Sequence, residues 1–526
     1  MATETQSDAA NGEPDERLGG LESNVTLADG DHETIPVEAP FTGSVVGTVP
    51  QCERADVERA AERASEAQST WSSRSVDDRA AVMLRLHDVV LDRQDEILDV
   101  MQLEAGKARR DAHEEVLDLA LTARYYAHRA DSYLATDRRK GAFPVVTRAE
   151  VEHHPVGLVG MISPWNYPLV LTLSESLPAL LAGNAVLLNP AEQTPYTALK
   201  AKDLLVEAGL PPDCLQIVTG HGEPIGEPLI EASDYFAFTG STETGRTVAQ
   251  LAAEQLIDFS LELGGKNAAI VRADADIERT VDGLLQGCFS NAGQLCISFE
   301  RIYAHESIFD AFVDRFAAAA EDLELGTAYS YDVDVGSLIS ERQLQKVSHH
   351  VDDAVEKGAI VETGGEHRPD VGPYFFEPTI LTGVTDEMVA KDVETFGPVT
   401  RVEPYRDVDE AIRRANDTRY GLNGSVWTGD ASRGREIARR IEAGTVCVND
   451  AYIAAWGSIA APMGGMKDSG VGRRHGEEGF YKYTEPQTVA TQRFLPAGPP
   501  GDQDYESWAG TIGRMLRLFK NVPGLR

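Results

Sequence analysis

Cysteine is scarce in this sequence, and its few thiols are poorly placed for shared chemistry. The 526 residues contain five cysteines without a Cys-x-x-Cys pair: Cys52, Cys214, Cys288, Cys296 and Cys447. Scattered single cysteines argue against a disulfide framework and against a structural zinc site. We therefore expect no metal, and free thiols suit a reducing, cytoplasmic setting.

Long apolar runs are also missing. The first 38 residues are acidic and show no basic start followed by an apolar core, so the sequence predicts no signal peptide. The nearest approach to a membrane span, residues 169–183, is interrupted by Glu175 and Pro178. Because a spanning helix needs about 20 consecutive apolar residues, we expect none and predict a cytoplasmic protein.

Positive charge is the third shortage. Asp and Glu number 85 against 48 Lys and Arg, of which eleven are lysine, and the formal net charge is −37. Phosphate binding needs clustered positive charge, so this composition argues against a nucleic-acid partner. Dispersed acidity with little lysine is typical of cells with high internal salt, where counterions screen the repulsion. The sequence thus predicts a halophilic protein that is less stable in dilute buffer.

The sequence does contain a regular alternation of short apolar runs and helical patterns. Between residues 157 and 265 the apolar runs are GLVGMIS, AVLLN, CLQIVTG, YFAFTG and FSLELGG. Strands that alternate with helices predict an α/β fold with a doubly wound parallel sheet, covered on both faces. A second alternating region continues to about residue 449.

Two glycine-bearing segments each allow a structural and a functional interpretation. No GxGxxG follows the first strand, so the usual dinucleotide fingerprint is missing. In FTGSTETG, Gly240 can simply end a strand and Ser241 cap a helix, or the same turn can hold a phosphate. In NAGQLCIS, Cys296 is either a half-buried structural thiol or a nucleophile.

Seven motifs taken in order remove most of this ambiguity. They closely resemble the signature segments of the aldehyde dehydrogenase superfamily over residues 38–492. The motifs are SPWNYP (163–168), NPAEQTP (189–195), FTGSTETG (238–245), LELGGKN (261–267), NAGQLC (291–296), ETFGPV (394–399) and PMGGMKDSGVGR (462–473). The ending GMKDSGVGRRHGEEGFYKYTEPQTVATQR is most similar to a branch named after succinate-semialdehyde dehydrogenase.

The resemblance implies an aldehyde dehydrogenase-like subunit that forms homodimers or homotetramers. Its parts would be a cofactor-binding domain (38–139 and 157–265), a catalytic domain (266–458) and a β-strand oligomerisation arm (140–156 and 481–492). Residues 1–37 are polar and nearly free of aromatics, which predicts a mostly disordered segment. Residues 493–526 would form a tail with an amphipathic helix.

Three residues match the family's catalytic groups. The resemblance implies that Cys296 is the nucleophile that adds to the aldehyde, since a thiolate creates a tetrahedral centre able to expel hydride. Glu262 would be the general base, because an apolar setting raises a carboxylate pKa toward the working pH. Asn166 would donate to the oxygen as charge develops on it. Their structural alternatives are a semi-buried thiol, an exposed strand-end glutamate and a turn-forming asparagine.

The resemblance also implies a nicotinamide cofactor, NAD(P), with NAD favoured. Glu192 matches the acid that bonds the adenosine ribose, where a carboxylate would repel the 2′-phosphate of NADP. Glu394 matches the residue at the nicotinamide ribose. The other expected cofactor residues are Ile162, Pro164, Trp165, Asn189, Gly240, Ser241, Gly245, Leu263 and Phe396. A purely structural role is the alternative for each.

Two positions depart from the family pattern. Asn189 and Glu175 stand where many members carry lysine. The loss of both cations weakens the case for tight cofactor binding, and for NADP in particular. It does not affect the cysteine, the glutamate or the asparagine of the catalytic set.

The substrate is the least determined part of the prediction. Succinate semialdehyde is the best guess from the branch, but Ser174 and Ser290 stand where some such enzymes have carboxylate-binding arginines. Arg301 or another arginine could replace them. Other aliphatic, aromatic or long-chain aldehydes are alternatives, as is transfer of the acyl group to coenzyme A. A non-catalytic binding protein is disfavoured, because both Cys296 and Glu262 are present.

The C-terminal tail combines an apolar stripe with basic residues. Its apolar residues follow helical spacing: Trp508, Ile512, Met515, Leu516, Phe519 and Val522. Arg514, Arg517 and Lys520 lie beside them. Such a helix can lie on a membrane surface, but packing on its own subunit or on a partner is the favoured interpretation.

Overall fold

The computed structural model describes residues 15–141, 147–493 and 498–522. Two short 3-10 turns are followed by an antiparallel hairpin: Glu16–Leu18, Leu21–Asn24, β1 (Thr34–Ala39) and β2 (Ser44–Pro50). Leu18 and Leu21 are buried against the main core. The predicted disorder of residues 1–37 is therefore wrong for residues 15–37, because these side chains anchor the segment. Residues 1–14 lie outside the described part.

Four helices come next, and their apolar residues pack into the core around the first large sheet. They are α1 (Arg54–Ser72), α2 (Val76–Asp92), α3 (Gln94–Ala105) and α4 (Arg109–Leu134). A capping box starts α1, in which Glu53 and Asp56 each bond the other's backbone N–H. The apolar residues of these helices join the core of the six-stranded sheet.

Two strands that belong to neither large sheet come next. They are β3 (Asp137–Lys140) and β4 (Thr147–Pro155). The first part of the predicted β-strand arm, residues 140–156, thus contains β4, and residues 142–146 lie outside the described part.

The first large sheet follows as alternating strands and helices. Its elements are β5 (Leu158–Ser163), α5 (Val170–Ala182), β6 (Ala185–Pro190), α6 (Pro195–Glu207), β7 (Leu215–Ile217), α7 (Gly222–Glu231), β8 (Tyr235–Thr239), α8 (Thr242–Gln255) and β9 (Asp258–Glu262). The parallel order is β9-β8-β5-β6-β7. The chain adds β6 and β7 on one side of β5 and then returns to add β8 and β9 on the other side, so the switch point of the sheet lies between β5 and β8. Ligands bind at such switch points.

The second large sheet has seven strands. Its elements are β10 (Asn267–Val271), α9 (Ile277–Phe289), β11 (Phe299–His305), α10 (Phe309–Glu321), α11 (Glu341–Glu356), β12 (Ile360–Thr363), β13 (Thr379–Thr382), α12 (Val389–Asp392), β14 (Val399–Tyr405), α13 (Val408–Asn416), β15 (Tyr420–Gly421), β16 (Asn423–Trp427), α14 (Ala431–Ala438), β17 (Thr445–Val448) and α15 (Ile453–Trp456). The order is β12-β13-β14-β11-β10-β16-β17, and β15 lies outside it.

The C-terminal segment ties the sheets together. It contains β18 (Met466–Lys467), β19 (Gly470–Val471), α16 (Glu478–Tyr481), β20 (Thr484–Gln492) and α17 (Tyr505–Phe519). β18 pairs with β15, and β19 adds to the edge of the six-stranded sheet beside β9. This crossing carries residues 459–475 past the carboxyl ends of the first sheet.

A third sheet stands apart from both. It is antiparallel, with the order β20-β4-β3, and β20 is its largely exposed edge. The predicted amphipathic tail helix is present as α17, and none of its residues is buried. Packing of this helix on its own subunit is therefore not observed. No helix in the described ranges is long and apolar enough to span a bilayer.

Candidate active site

A cleft opens where β5 and β8 end, at the switch point of the six-stranded sheet. It has about 700 Å³ of open space and draws residues from both large sheets. Its lining includes Pro164, Trp165, Asn166, Gly240, Ser241, Glu262, Leu263, Cys296, Glu394 and Phe396. Ten of the predicted site residues, distant in sequence, thus share one surface.

The turn after α9 places Cys296 in this cleft. Asn291 and Ala292 have φ values of 52° and 53°, and Gly293 has 69°. At Gly293 a Cβ would lie 2.1 Å from the carbonyl oxygen of Gly397, so this close approach requires glycine. Asn267 Nδ2 donates to the carbonyl of Cys296 at 2.8 Å and fixes the following backbone.

Cys296 differs from the other cysteines in its surroundings. It is half-buried, whereas the remaining four are buried. Burial, together with the charges of Glu394 and Glu262, raises the pKa of its thiol to about 12, and the charge of Arg474 opposes this rise. Since the thiolate is the nucleophilic form, the resting site holds a thiol that needs activation.

Glu262 is the last residue of β9 and lines the cleft. Its Oε1 is buried without a hydrogen-bond partner among the described residues. Burial raises its pKa to about 8, and the charge of Arg474 acts in the opposite direction. A carboxyl group with this pKa exchanges protons near neutral pH, as a general base must.

Asn166 joins the cysteine loop to the end of β5. Its Nδ2 donates to the carbonyl of Gln294 at 3.0 Å, and its own carbonyl accepts from Asn291 Nδ2 at 2.9 Å. An amide NH₂ has two hydrogens, so one remains for a further acceptor in the cleft. These contacts hold the asparagine side chain beside Cys296.

The side of the cleft farther from the cysteine fits a dinucleotide. Ser241 caps the 14-residue helix α8 by accepting from the N–H of Thr244, which places a helix N-terminus at the cleft. A Cβ at Gly245 would lie 2.5 Å from Leu263, so the helix packs tightly there. Helix N-termini attract phosphate groups, and this donor arrangement suits a pyrophosphate.

The loop before β14 presents an acid and an aromatic ring to the cleft. Glu394 Oε1 accepts from the N–H of Gly265 at 2.8 Å. Phe396 has a φ of 57°, and its ring meets Trp165 edge-on at 5.5 Å between centroids. Its N–H donates to Glu300 at 2.9 Å, and Glu300 also pairs with Lys266. These buried contacts support the strained loop.

Four predicted cofactor residues lie outside the lining of this cleft: Ile162, Asn189, Glu192 and Gly245, the last of which packs under it against Leu263. Asn189 is buried, and its amide donates to the carbonyl of Val218 at 3.1 Å, which makes it part of the loop scaffold. Glu192 is half-exposed and accepts from Gln193 at 3.0 Å. Ile162 lines a smaller cavity that also contains Glu262.

A second chamber of about 400 Å³ meets the cleft at Cys296 and Asn166. Its walls are mainly aromatic and aliphatic: Tyr167, Val170, Leu171, Leu295, Ile297, Tyr452, Trp456 and Met463. Arg474 is the charged residue in this lining. The motif comparison did not single out these side chains: Tyr167, Leu295 and Met463 lie within quoted signatures but were given no role, and the others lie outside the signatures.

Glu175 belongs to a buried ion cluster. Its Oε1 lies 3.2 Å from Arg474 Nε, and its Oε2 lies 2.6 Å from Lys482 Nζ. Tyr483 Oη donates to the same Oε2 at 2.7 Å. The presence of a glutamate where lysine is usual could have signalled that cations are supplied elsewhere, because a buried charge needs a partner.

Comparison with known proteins agrees with this geometry. Residues 27–489 match the model of the aldehyde dehydrogenase family. This chain belongs to the aldehyde dehydrogenase family. It is 50% identical over 505 residues to a Mycolicibacterium smegmatis protein named "Putative succinate-semialdehyde dehydrogenase (NADP(+))", covering 96% of this chain and 98% of the relative.

Solved aldehyde dehydrogenase structures have the same fold. An aldehyde dehydrogenase from Brucella melitensis biovar abortus 2308 superposes with a TM-score of 0.85 at 35% identity, covering 90% of this chain and 97% of the other. A Staphylococcus aureus betaine aldehyde dehydrogenase in complex with NAD+ gives 0.86 at 30% identity, covering 93% and 98%. The predicted family, fold class and enzyme class are thus confirmed.

Proposed function

We propose that this aldehyde dehydrogenase oxidises a small aldehyde to its carboxylic acid through a thioester on Cys296. The observation that carries the proposal is the meeting of Cys296, Glu262 and Asn166 on one cleft. A nucleophile, a base and an amide donor are the groups that acyl chemistry needs within reach of one carbonyl.

The first half of the reaction needs a held oxygen. The Cys296 sulfur adds to the carbonyl carbon, while the free amide hydrogen of Asn166 and the backbone N–H of Cys296 receive the developing negative charge. NAD(P), when bound, supplies the acceptor for hydride. Trp165, Phe396 and Glu394 line the part of the cleft that would orient the nicotinamide, and Gly240 and Ser241 would hold the phosphates.

The second half needs a base. Glu262 takes a proton from the water that attacks the thioester, and the Cys296 thiolate then leaves with the electrons of the broken C–S bond. An unpartnered carboxylate oxygen with a pKa near 8 supports this assignment. Hydrolysis to the free acid is therefore favoured over transfer of the acyl group to coenzyme A. Product analysis with and without coenzyme A separates the two outcomes.

The deciding experiment replaces the nucleophile. Cys296→Ala should abolish NADH and NADPH formation with every aldehyde tested, because no thiohemiacetal can form. Cys214→Ala is the matched control, since this buried thiol lies outside the cleft. Turnover of Cys296→Ala at the rate of the parent protein would remove Cys296 from its role.

The coenzyme preference is a separate proposal. NAD is favoured because the Glu192 carboxylate would repel a 2′-phosphate, although the M. smegmatis relative carries NADP(+) in its name. His221 Nδ1 lies 3.8 Å from Glu192 Oε1 and, when protonated, would offset that repulsion. The measurement is kcat/KM for both coenzymes in the parent protein and in Glu192→Gln, which should gain activity with NADP.

Succinate semialdehyde remains the first substrate to test. The relative's name and the cationic Arg474 in the chamber support it. The predicted substitutes for the missing arginines give no support: Ser174 donates to Asp118, and Arg301 donates to backbone carbonyls of residues 266, 414 and 415. Butanal, which lacks the carboxylate, is the matched comparison substrate.

A second substrate class is favoured by one observation. Ser290 bonds Tyr452 Oη at 3.1 Å, and that hydroxyl also contacts the carboxylate of Glu114 at 3.2 Å. Asp111 lines a further cavity of about 750 Å³ together with Glu114 and Ser290, and its Oδ2 has no hydrogen-bond partner among the described residues. Carboxylates here would suit an aldehyde that carries an ammonium group, such as 4-aminobutanal, and a higher kcat/KM for it than for succinate semialdehyde would decide in its favour.

Assembly is also a proposal. The edge strand β20 has exposed residues along most of its length, and an open strand edge favours pairing with a second copy. We expect a homodimer or a homotetramer by light scattering at high salt. Membrane contact through α17 is disfavoured, and binding of the full chain to anionic vesicles, lost on deletion of residues 504–526, would establish it.

A further inference from the structure

Arg474 is a buried cation at the reaction centre that takes no part in either half of the reaction described above, where its charge was considered only for the choice of substrate. An antiparallel bridge holds its backbone, since Arg474 and Met463 exchange N–H to carbonyl bonds of 2.7 and 2.8 Å. The side chain is 5% exposed and lines the chamber together with Cys296 and Asn166. A guanidinium stays charged at any working pH, so this charge is permanent.

The contacts of Arg474 leave part of the guanidinium uncommitted. Nε lies 3.2 Å from Glu175 Oε1, which anchors one side of the group. This contact is an ion pair only, since neither Nε nor Nη2 makes a hydrogen bond within the described ranges, although both atoms are buried. A buried donor without a partner is costly, so such groups usually have a functional reason.

The surrounding elements present mainly acids to this cation. Glu175 comes from α5, Asp118 from α4 and Glu262 from the end of β9. Lys482 shares Glu175 with it. On the cleft side Glu394 and Glu262 both disfavour a thiolate at Cys296, and Arg474 is the cation that opposes them.

We propose that Arg474 is a positioning residue that holds a permanent positive charge beside Cys296 and Glu262, anchored by Glu175, and so makes the thiolate accessible. The inference rests on the proposed function, in which Cys296 is the nucleophile. It also accounts for the glutamate at position 175, because Glu175 pairs with a cation that comes from a distant part of the chain, residues 459–475.

The test measures the thiol directly, without aldehyde or coenzyme. Iodoacetamide reacts with the thiolate, whose sulfur displaces iodide and forms an S–C bond. Peptide mass spectrometry follows the alkylation rate of Cys296 at a series of pH values. It distinguishes this residue from the other four cysteines, which are buried. Arg474→Met should slow alkylation of Cys296 at pH 7.5 about tenfold, because a rise of one pKa unit lowers the thiolate fraction tenfold.

Two variants separate charge from packing. Arg474→Lys keeps the positive charge. The rate of Cys296 alkylation should therefore stay within about threefold of the rate in the parent protein, which corresponds to about half a pKa unit. Arg435→Met removes an exposed arginine on α14 and should leave the rate of Cys296 alkylation at pH 7.5 unchanged. If Arg474→Met does not fold, Arg474→Gln gives the same comparison with hydrogen-bonding groups retained.

An unchanged rate of Cys296 alkylation at pH 7.5 in folded Arg474→Met or Arg474→Gln would overturn the proposal. So would a loss of kcat/KM confined to succinate semialdehyde and absent with butanal, because Arg474 would then be a substrate contact. The proposed function fails by a different result, namely turnover by Cys296→Ala, so the two failures are distinguishable.

Discussion

Two carboxyl groups, those of the half-buried Glu262 and the buried Glu175, line the same small cavity with Leu171, yet their pKa values shift in opposite directions. Burial raises the pKa of Glu262 to about 8. At Glu175 burial acts the same way, but the charges of Lys482 and Arg474 outweigh it and lower the pKa to about 2. The opposite pKa shifts come from the partners, since burial acts in the same direction on both carboxyl groups.

This contrast separates an acid that can exchange a proton from one that cannot. Glu175 has cations on both oxygens and a hydroxyl donor, so it stays ionised and holds two segments together. Glu262 keeps one oxygen without a partner and changes its protonation near working pH. One cavity thus contains a structural ion and a candidate base.

The largest expected effect is on the unpaired side. Glu262→Gln should lower kcat by about 10²- to 10⁴-fold, because the thioester can no longer be hydrolysed with base assistance. Stopped-flow measurement should show a retained burst of NAD(P)H followed by a slow steady state. The control is Glu254→Gln, an exposed residue on α8, and normal steady-state turnover in Glu262→Gln would contradict the contrast.

The paired side should respond in stability. Glu175→Gln leaves two buried cations without their partner and should reduce the free energy of unfolding by about 3–5 kcal/mol. Urea unfolding at constant high salt measures this. Because the folded pKa of Glu175 is lowered, its contribution is present above about pH 4.5 and lost as pH falls toward 2. An undiminished stability would show that the ion pairs contribute nothing.

The pH dependence of kcat gives a third distinction. Glu262 acts as a base only when ionised, so kcat should rise about tenfold per unit below its pKa of about 8 and then level off. Glu262→Gln should lose this limb, while Glu175→Gln should move it. A pH-independent kcat between 6 and 9 in the parent protein would exclude Glu262 as the titrating group.

The smallest expected effect concerns salt. Surface acids repel one another and are screened by salt, whereas the Glu175 cluster is buried and screened little. The melting temperature should rise between low and multimolar salt, and it should rise equally in the parent protein and in Glu175→Gln. A larger rise in the variant would place the cluster within reach of solvent ions.

Much of the site was predictable because strand-end loops carry its chemistry. The segments around residues 163–168, 238–245 and 291–296 were recognisable in order, and the sheet topology brings them to one edge. Asn189 was assigned to the cofactor, whereas its amide is committed to the carbonyl of Val218. A motif identifies a position in a loop, but the packing around that position determines which partner the side chain bonds.

Other features were out of reach of sequence patterns. Composition predicted disorder for residues 1–37, but Leu18 and Leu21 find a core surface that local composition does not reveal. Arg474 follows directly after a recognised motif, yet its role depends on Glu175, which lies 299 positions earlier in the numbering. Long-range charge pairing of this kind becomes visible only in three dimensions.

The contact of Gly293 with the carbonyl of Gly397 has a practical consequence for anyone who would redesign this enzyme. Even a methyl group at residue 293 would collide with the facing loop. Libraries that aim at new aldehydes should therefore leave this turn unaltered and vary Tyr167, Tyr452 and Trp456 instead, where shape can change without displacing the sulfur.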